Sequence, residues 1–225
     1  MNGSDHSVDP QLGSIGPGYY DNERPEIFRL VDESARVILD VGCGKGRLGA
    51  NLKQAVPGRK VFGIEHNDRI AAEAEKVLDG ILIGDLQTMK ISFPTAMFDC
   101  IIFADILEHL VDPDAALRKL KAHLKPQGKV ICSIPNMRHY TAILRLLRRG
   151  WEYDDWGLFD RTHLRFFSLR TMKKMLEDQG FQVELVERRI VASRKLKFLN
   201  ALCFGKLEEF IAWQYLIKAR NSPTR

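Results

Sequence analysis

The sequence predicts an α/β fold, a doubly wound sheet of seven strands that is mostly parallel, with an insertion after the fifth strand. Short apolar runs alternate with segments whose apolar residues recur at helical spacing, as in a parallel sheet that is buried on both faces. The first apolar run leads directly into a glycine-rich turn that opens a helix. A chain of 225 residues is long enough for one such domain and too short for two.

Five strands are predicted before residue 136, with helices between them. Pro25 begins a first amphipathic helix, because proline fits the first turn of a helix. Asp112-Pro-Asp supplies the cap and first turn of a helix at 112–124, and Pro126-Gln-Gly ends it. The strands are expected at 37–41, 60–65, 80–84, 98–104 and 129–134, and two further helices at 46–55 and 68–78.

After the fifth strand the regular alternation breaks. Residues 136–166, rich in Arg, His, Tyr and Trp, are predicted to form a lid or acceptor insertion that contains a helix at 139–149. Its aromatic side chains form either a wall for a flat or sugar-like acceptor or simply the core of the lid. The remaining elements are expected to be a helix at 168–179, a strand at 181–187, a second, irregular insertion at 195–210 and a last strand at 213–219.

The N-terminal residues 1–18 are rich in Gly, Ser, Asp and Pro and show no periodicity, which predicts a mobile arm before a single domain at 19–225. That arm has no basic and apolar leader pattern, and the chain has no run of 18 apolar residues. The four cysteines show no metal-binding or redox spacing and read as reduced thiols. We therefore expect a cytoplasmic protein.

The formal charge of +5 is mild, and 45% hydrophobic and 28% charged residues are ordinary globular values. Basic residues cluster around 145–149 and 188–197, which most often means a solvated face. No nucleic acid is expected as a partner. A peripheral contact with a membrane surface stays open, because the helix at 139–149 and the segment 195–210 are both apolar and basic.

The glycine-rich turn is the first candidate for a ligand site. In Val37-Ile-Leu-Asp-Val-Gly-Cys-Gly-Lys-Gly-Arg-Leu-Gly49 the strand ends near Asp40, and Gly42, Gly44 and Gly46 follow at two-residue steps. Glycines permit a sharp turn and a close ligand, and the helix start offers free N–H groups. The stretch from Gly44 also satisfies the dinucleotide pattern G-x-G-x-x-G, so the turn alone predicts only a nucleotide-like cofactor.

Acidic residues at the ends of the next strands support an adenosine-containing ligand. Glu65 ends the second strand, where a carboxylate can accept both ribose hydroxyls. Asp85 and Leu86 follow the third strand, where they can meet the adenine amino group and ring. A short-chain dehydrogenase is disfavoured because no Tyr-x-x-x-Lys occurs, and a P-loop kinase because no G-x-x-x-x-G-K-[ST] occurs.

Three motifs together resemble class I S-adenosylmethionine (SAM)-dependent methyltransferases. They are Asp-x-Gly-x-Gly-x-Gly from Asp40, the block Phe98-Asp-Cys-Ile-Ile-Phe-Ala-Asp-Ile-Leu-Glu-His-Leu-Val-Asp-Pro113, and Asp160-Arg-Thr-His-Leu-Arg-Phe-Phe167. The resemblance runs from Tyr19 to Ala219. It implies a Rossmann-like sheet whose last strand is antiparallel, and SAM as cofactor.

The resemblance also implies roles for individual residues. Asp40 and the turn glycines Gly42, Gly44 and Gly46 would hold the methionyl end of SAM, with Tyr20 and Arg24 covering its carboxylate. Glu65 would bind the ribose, and Asp85 and Leu86 the adenine. Asp105 would border the methyl group.

Methyl transfer mainly requires alignment and the exclusion of water, but a hydroxyl acceptor must also lose its proton. His109 and His163 are the candidate general bases, since histidine titrates near neutral pH. Their alternative roles are structural: His109 could pack against the helix that follows, and His163 could be a hydrogen-bonded residue beside Asp160. His139 is a weaker third candidate, and nothing in the sequence requires a metal.

The block from Asp160 to Phe167 resembles bacterial methyltransferases that are often linked to glycosyltransferases. The preferred expectation is therefore methylation of a small-molecule or glycan hydroxyl, most simply that of a sugar. O-methylation of a quinone-like or phenolic metabolite is the alternative within the enzymes. A non-catalytic SAM-binding module is the alternative outside them.

Overall fold

The computed structural model describes residues 22–222, which form a sheet of seven strands in the order β3-β2-β1-β4-β5-β7-β6. Strands β1 to β5 pair in parallel, whereas β7 runs antiparallel to both β5 and β6. This confirms the predicted fold class and the antiparallel last strand. The strands are β1 (Val37–Val41), β2 (Lys60–Glu65), β3 (Gly80–Ile83), β4 (Phe98–Ala104), β5 (Leu124–Pro135), β6 (Phe181–Ile190) and β7 (Ala212–Asn221).

Helices cover both faces of the sheet. Along β1, Ile38 packs on the side of α1, α2 and α3, and its neighbour Leu39 packs on the side of α4 and α6. Both faces of the central strands are therefore apolar, as their continuous hydrophobic runs predict. The helices are α1 (Pro25–Phe28), α2 (Arg47–Ala55), α3 (Asp68–Ala74), α4 (Pro113–Lys121), α5 (Tyr140–Arg149), α6 (Leu169–Asp178), α7 (Arg194–Leu202) and α8 (Glu208–Ile211), and a 3-10 turn spans Leu107–His109.

Side-chain caps start the helices that follow the carboxyl ends of the strands. The Asn67 side chain accepts hydrogen bonds from the N–H groups of Arg69 and Ile70 at the start of α3. Asp112 accepts one from Ala115 at the start of α4, as predicted from its sequence. These caps hold the loops at the carboxyl edge of the sheet in place.

Four of the predicted elements need correction. Strand β5 begins at Leu124 and includes the Pro126-Gln-Gly segment expected to end helix α4, which already ends at Lys121. The residue Leu124 is buried and pairs with Phe98, so core packing and pairing with β4 extend the strand. The first amphipathic helix is a single turn, and α3 ends at Ala74 rather than at residue 78.

The segment 195–210, expected to be irregular, contains α7 and α8. Ser193 caps α7 by accepting a hydrogen bond from the Leu196 N–H, and the residues that follow include several good helix formers. No residue of α7 is buried. The predicted arm at 1–18 lies outside the described residues.

The insertion at 136–166 contains α5 and has a small core of its own, formed by Ala142, Leu158 and Phe159 with Met137 and Trp213. Most of its predicted aromatic wall is exposed, including Trp151, Tyr153 and Trp156. Its role as a lid stays a prediction. No helix within residues 22–222 combines the length and the hydrophobicity needed to cross a membrane.

Asn136 joins this insertion to the sheet. Its fully buried side chain donates to the carbonyls of Glu209 (2.8 Å) and Ala212 (2.7 Å) and accepts from the Arg138 N–H (3.0 Å). One side chain therefore connects the end of β5 to the start of β7. These two strands pair with each other at the carboxyl edge of the sheet.

We predict that Asn136→Ala lowers the free energy of unfolding by about 2–4 kcal/mol, because buried carbonyls lose their donors. Urea unfolding followed by circular dichroism measures it. Asn51→Ala, at a half-buried position of α2, is the matched control and is expected to change stability by about 0.5 kcal/mol or less. Equal effects of the two substitutions would contradict the role of Asn136.

Candidate active site

A cavity of about 510 Å³ opens at the carboxyl ends of β1, β2, β3 and β4. This volume lies within the usual range for small-molecule sites, and the carboxyl edge is where open α/β sheets bind ligands. Most of the predicted cofactor residues line it, namely Arg24, Asp40, Gly42, Gly44, Glu65, Asp85, Leu86 and Asp105. Tyr20 lies outside the described residues, and Gly46 is not part of the lining.

The glycine turn closes the cavity below. Gly42 has a φ of +69°, and a Cβ there would lie 2.1 Å from the Ile106 side chain. Its N–H and that of Cys43 donate to the Ile64 carbonyl at 2.7 and 3.2 Å, which ties the turn to β2. Only a glycine permits this combination of backbone angle and close approach.

Gly46 is predicted to help hold the cofactor, and the structure also gives it a packing role. It forms the N-cap of α2 at a φ of +77°, and a Cβ there would lie 2.8 Å from Val77 and 3.3 Å from Ala74. The third glycine of the motif therefore allows the turn to pack against the segment after α3. Packing explains this glycine without contact to a ligand.

Glu65 is buried at the end of β2 and supports the turn directly. One of its carboxylate oxygens accepts from the Gly44 N–H at 2.9 Å, and the other accepts from the Asn67 N–H at 3.0 Å. The helix cap of α3 is Asn67 rather than Glu65. Glu65 thus presents a rigid acidic wall to the cavity, as its predicted ribose role requires.

Asp40 is almost fully buried beside the turn. Burial raises the pKa of Asp40 to about 7, and the nearby Glu65 carboxylate adds to this effect while Arg24 opposes it. The group therefore changes charge near neutral pH. A cationic ligand group at this position would favour the ionised form.

Asp85 and Leu86 follow β3. Asp85 is half-buried and accepts a hydrogen bond from the Gln87 N–H at 2.8 Å, which orients its carboxylate. Leu86 is buried and supplies an apolar surface. An acidic acceptor beside an apolar surface suits the edge and face of an adenine, and the binding of adenine by these two residues stays a prediction.

Asp105 lies at the centre of the cavity wall with a φ of +57°. One carboxylate oxygen accepts from Ser133 (2.7 Å) and Gln214 (2.6 Å), and the other forms an ion pair with Arg24. The backbone N–H also donates to the Ser133 carbonyl at 3.1 Å. These bonds immobilise the carboxylate.

His109 lines the cavity just after β4. Its Nδ1 lies 3.0 Å from the Thr162 hydroxyl and 3.3 Å from the Thr162 carbonyl, and the hydroxyl donates to Asp160 at 2.7 Å. Both oxygens can accept a hydrogen bond from Nδ1–H, so Nε2 keeps its lone pair. Burial and then the neighbouring His163 lower the pKa of His109, which keeps the ring neutral at pH 7.

His163 is buried against His109 and is not one of the residues that line the cavity, so its role as a base stays a prediction. The two rings meet edge to face with centroids 4.7 Å apart. His139 has a structural role: its ring nitrogens contact the Thr141 hydroxyl (2.7 Å) and the Val191 carbonyl (3.0 Å) at the start of α5.

Several residues that build this site were not predicted. Ser133 and Gln214 hold Asp105, Thr162 orients His109, and Glu108 is buried next to His109. Of these residues only Gln214 has a sequence signal, because it is a polar residue within the apolar run of β7. The others follow only from the approach of distant segments.

The charges of the cavity discriminate between nucleotide-like ligands. Four carboxylates, those of Asp40, Glu65, Asp85 and Asp105, line it, and Arg24 is already paired with Asp105. A buried carboxylate beside the turn repels the pyrophosphate of a dinucleotide, whereas it attracts a sulfonium or an ammonium group. The residues therefore fit SAM.

Comparisons with known proteins agree with this geometry. The family model of a methyltransferase domain matches residues 17–186. A demethylmenaquinone methyltransferase of Lactobacillus johnsonii is 27% identical over 198 residues, which cover 77% of this chain and 80% of that protein. A ubiquinone biosynthesis O-methyltransferase of Pseudomonas putida is 26% identical over 171 residues, which cover 68% and 72%.

The chain matches only part of the length of some relatives. An uncharacterized methyltransferase of Schizosaccharomyces pombe is 34% identical over 108 residues, which cover 42% of this chain and 38% of that protein. Among solved structures, a SAM-dependent methyltransferase from Mesorhizobium loti superposes with a TM-score of 0.61 at 19% identity, covering 88% of this chain and 97% of the other. At that identity the likeness shows the fold.

We predict that affinity for S-adenosylhomocysteine, whose amino group is cationic, falls up to about tenfold per pH unit below pH 7, because Asp40 becomes protonated there. Calorimetric titration at a series of pH values between about 6 and 8 measures it. In Asp40→Asn the affinity is lower and this part of the pH dependence is lost. Identical pH profiles for the two proteins would contradict the assignment to Asp40.

Proposed function

The chain belongs to the methyltransferase domain family, a SAM-dependent family, and on that premise we propose that it methylates a hydroxyl group of a small molecule. One observation carries the proposal: a neutral histidine, His109, lines the same cavity as the carboxylates that fit SAM, and Thr162 orients it. A positioned base is what a hydroxyl acceptor needs in addition to the methyl donor.

SAM supplies an electrophilic methyl group when it is bound. Asp40, Glu65 and Asp85 would hold its polar groups, and Leu86 its adenine ring. Asp105, immobilised by Arg24, Ser133 and Gln214, provides a fixed negative charge between the donor and acceptor sides. Ile106 and Leu110 add apolar wall that excludes water from the acceptor side.

His109 is proposed to take the proton of the acceptor hydroxyl at Nε2. Its lowered pKa keeps Nε2 unprotonated near pH 7, but it also makes the imidazole a weak base. A phenol is a stronger acid than a sugar alcohol, with a pKa of about 10. The weak base therefore favours a phenolic hydroxyl.

Two relatives support a quinone-like acceptor, since one is a demethylmenaquinone methyltransferase and the other a ubiquinone biosynthesis O-methyltransferase, and only the second name specifies transfer to oxygen. We therefore propose a quinone-like or other phenolic metabolite as the acceptor, the second of the acceptor classes considered from the sequence. The relatives described here give no support to a sugar acceptor.

A sugar hydroxyl remains the second candidate because of one observation. A separate cavity of about 480 Å³ in the insertion combines Tyr153 and Trp156 with the charged groups of Arg145, Asp154 and Asp155. Aromatic faces together with bidentate polar groups suit a sugar ring. Its lining does not include His109, so it could hold only a distal part of an extended acceptor.

We predict that His109→Ala lowers kcat by about 10²–10⁴-fold while leaving S-adenosylhomocysteine affinity within about twofold, because a base acts on the acceptor and not on cofactor binding. Turnover is measured with a panel of catechols, other phenols and nucleotide sugars. His123→Ala is the control: His123 is a buried histidine that does not line the cavity and contacts the Pro94 carbonyl, so its loss should leave kcat unchanged. Retention of wild-type kcat in His109→Ala would rule out His109 as the base.

Peripheral membrane contact is proposed for the α7 patch, which we define as Phe198, Leu199, Leu202 and Phe204 together with Arg194, Lys195 and Lys197. All of these side chains are exposed, and Phe204 is 92% exposed. Exposed apolar side chains flanked by cations suit an anionic lipid surface. The four free cysteines also fit the proposed cytoplasmic location.

The position of the patch supports this contact. Helix α7 lies in the connection from β6 to β7, where Ile190 pairs with Ala212 and Gln214 pairs with Pro135 at the end of β5. The patch therefore lies at the carboxyl edge of the sheet, the edge that carries the cavity. A lipid-borne acceptor bound there would be close to the active site.

We predict that the protein binds vesicles containing phosphatidylglycerol more tightly than vesicles of phosphatidylcholine alone. The double substitution Phe198→Ser and Leu202→Ser should weaken this binding about tenfold or more, because both side chains lose apolar area that would be buried in the bilayer. Ile83→Ser, exposed on edge strand β3 at the opposite side of the sheet, is the control in co-sedimentation. Equal binding by all three proteins would contradict a role for the α7 patch.

A further inference from the structure

The side chain of Glu108 has no role in the proposed chemistry, yet it is 1% exposed. Among the described residues neither of its carboxylate oxygens has a hydrogen-bond partner. Burying a carboxylate without partners is costly, and such groups are normally paired or bound to a metal. This carboxylate therefore indicates a missing partner.

Two imidazoles surround this carboxylate. His109 and His163 contact each other edge to face, and the ligand atoms of Glu108, His109 and His163 all lie within 4.8 Å of one another. Ligand atoms about 2.1 Å from an ion in tetrahedral geometry lie about 3.4 Å apart, so binding requires these side chains to approach one another by up to about 1.4 Å.

We propose that Glu108, His109 and His163 bind one divalent transition-metal ion at the wall of the active-site cavity. Two imidazoles and one carboxylate favour a first-row transition ion such as Zn²⁺, Co²⁺ or Mn²⁺ over Ca²⁺ or Mg²⁺, which prefer all-oxygen ligand sets. Three protein ligands leave a coordination position open for a substrate.

The surroundings of the cluster fit such an ion. Thr162 and Asp160 form a hydrogen-bonded chain to Nδ1 of His109, which directs Nε2 toward a ligand, as outer-shell partners do in metal sites. The carboxylates of Asp105 and Asp160 also act electrostatically on this cluster. A divalent ion compensates this concentration of negative charge.

A protonated Glu108 is the competing explanation, and burial does raise the pKa of this carboxyl well above its usual range. A neutral carboxyl still carries a hydroxyl that must donate a hydrogen bond, and among the described residues no acceptor lies within hydrogen-bond distance of it. An ion gives partners to the carboxylate and to both imidazoles at the same time.

The use of the ion rests on the proposed function, although the site itself does not. An acceptor hydroxyl in the open position would lose its proton more easily, as bound water does. The proton leaves to solvent, the acceptor oxygen forms a bond to the methyl carbon, and the electron pair of the breaking carbon–sulfur bond stays on sulfur. His109 then serves as a ligand instead of a base.

The test uses the full chain after dialysis against EDTA, titrated with Co²⁺ and followed by its visible d–d absorption, with Zn²⁺ binding followed by calorimetry. We expect one ion per chain, and at least about tenfold weaker binding in Glu108→Gln and in His163→Ala. Glu209→Gln, an exposed acidic position, is the matched control and should bind like the wild type.

A second readout covers the case in which a variant folds poorly. Zn²⁺ should raise the Tm of the wild type and of Glu209→Gln but not that of Glu108→Gln, because only a native-state ligand stabilises the fold. No bound ion in the wild type, or unchanged binding in Glu108→Gln and His163→Ala, overturns the site.

Activity assays separate this proposal from the proposed function. If the enzyme dialysed against EDTA methylates phenols and binds no added ion, the metal site is wrong and the role of His109 as base is supported. If the ion binds but activity does not depend on it, the site stands and its catalytic use falls. If the ion binds and no hydroxyl acceptor is methylated, the proposed function falls while the site stands.

Discussion

The arrangement of the active site depends on the immobilisation of Asp105. This carboxylate accepts hydrogen bonds from Ser133 of β5 and Gln214 of β7 and forms an ion pair with Arg24 before α1. Segments far apart in the sequence therefore converge on one residue at the end of β4. The left-handed backbone angle of Asp105 is maintained by these contacts, since an isolated residue rarely adopts it. The cofactor side and the acceptor side of the cavity meet at this point.

The two sides differ in how their buried charges are balanced. On the cofactor side, the Glu65 carboxylate accepts one backbone N–H from the glycine turn and one from Asn67, so each of its oxygens has a partner. Asp40 is buried there with a raised pKa, and the positive charge of SAM would compensate it. On the acceptor side, Glu108 is buried without partners beside two histidines. The same physical requirement, that a buried charge needs a counterpart, accounts for the cofactor and for the proposed metal ion.

Most of the fold could be predicted from the sequence because burial on both faces leaves a simple pattern. Strands β1 to β4 lie almost where their apolar runs predicted them, and the caps at Asn67 and Asp112 follow local rules. The prediction failed where long-range pairing decided the outcome, as in the extension of β5 through Pro126 by β4. It also failed for α7, which is helical although none of its residues is buried.

The sequence by itself determined the fold class, the family and the cofactor half of the cavity, because Asp40, Gly42, Glu65 and Asp85 follow strand ends that come together in any parallel sheet. Tertiary structure alone decided the acceptor half. In the folded chain Gly46 packs against the segment after α3, and His163 lies against His109. Thr162 contacts His109, and Glu108 lies next to both histidines. Those residues lie on loops and on an insertion, whose positions depend on contacts between distant segments that leave no local periodicity in the sequence.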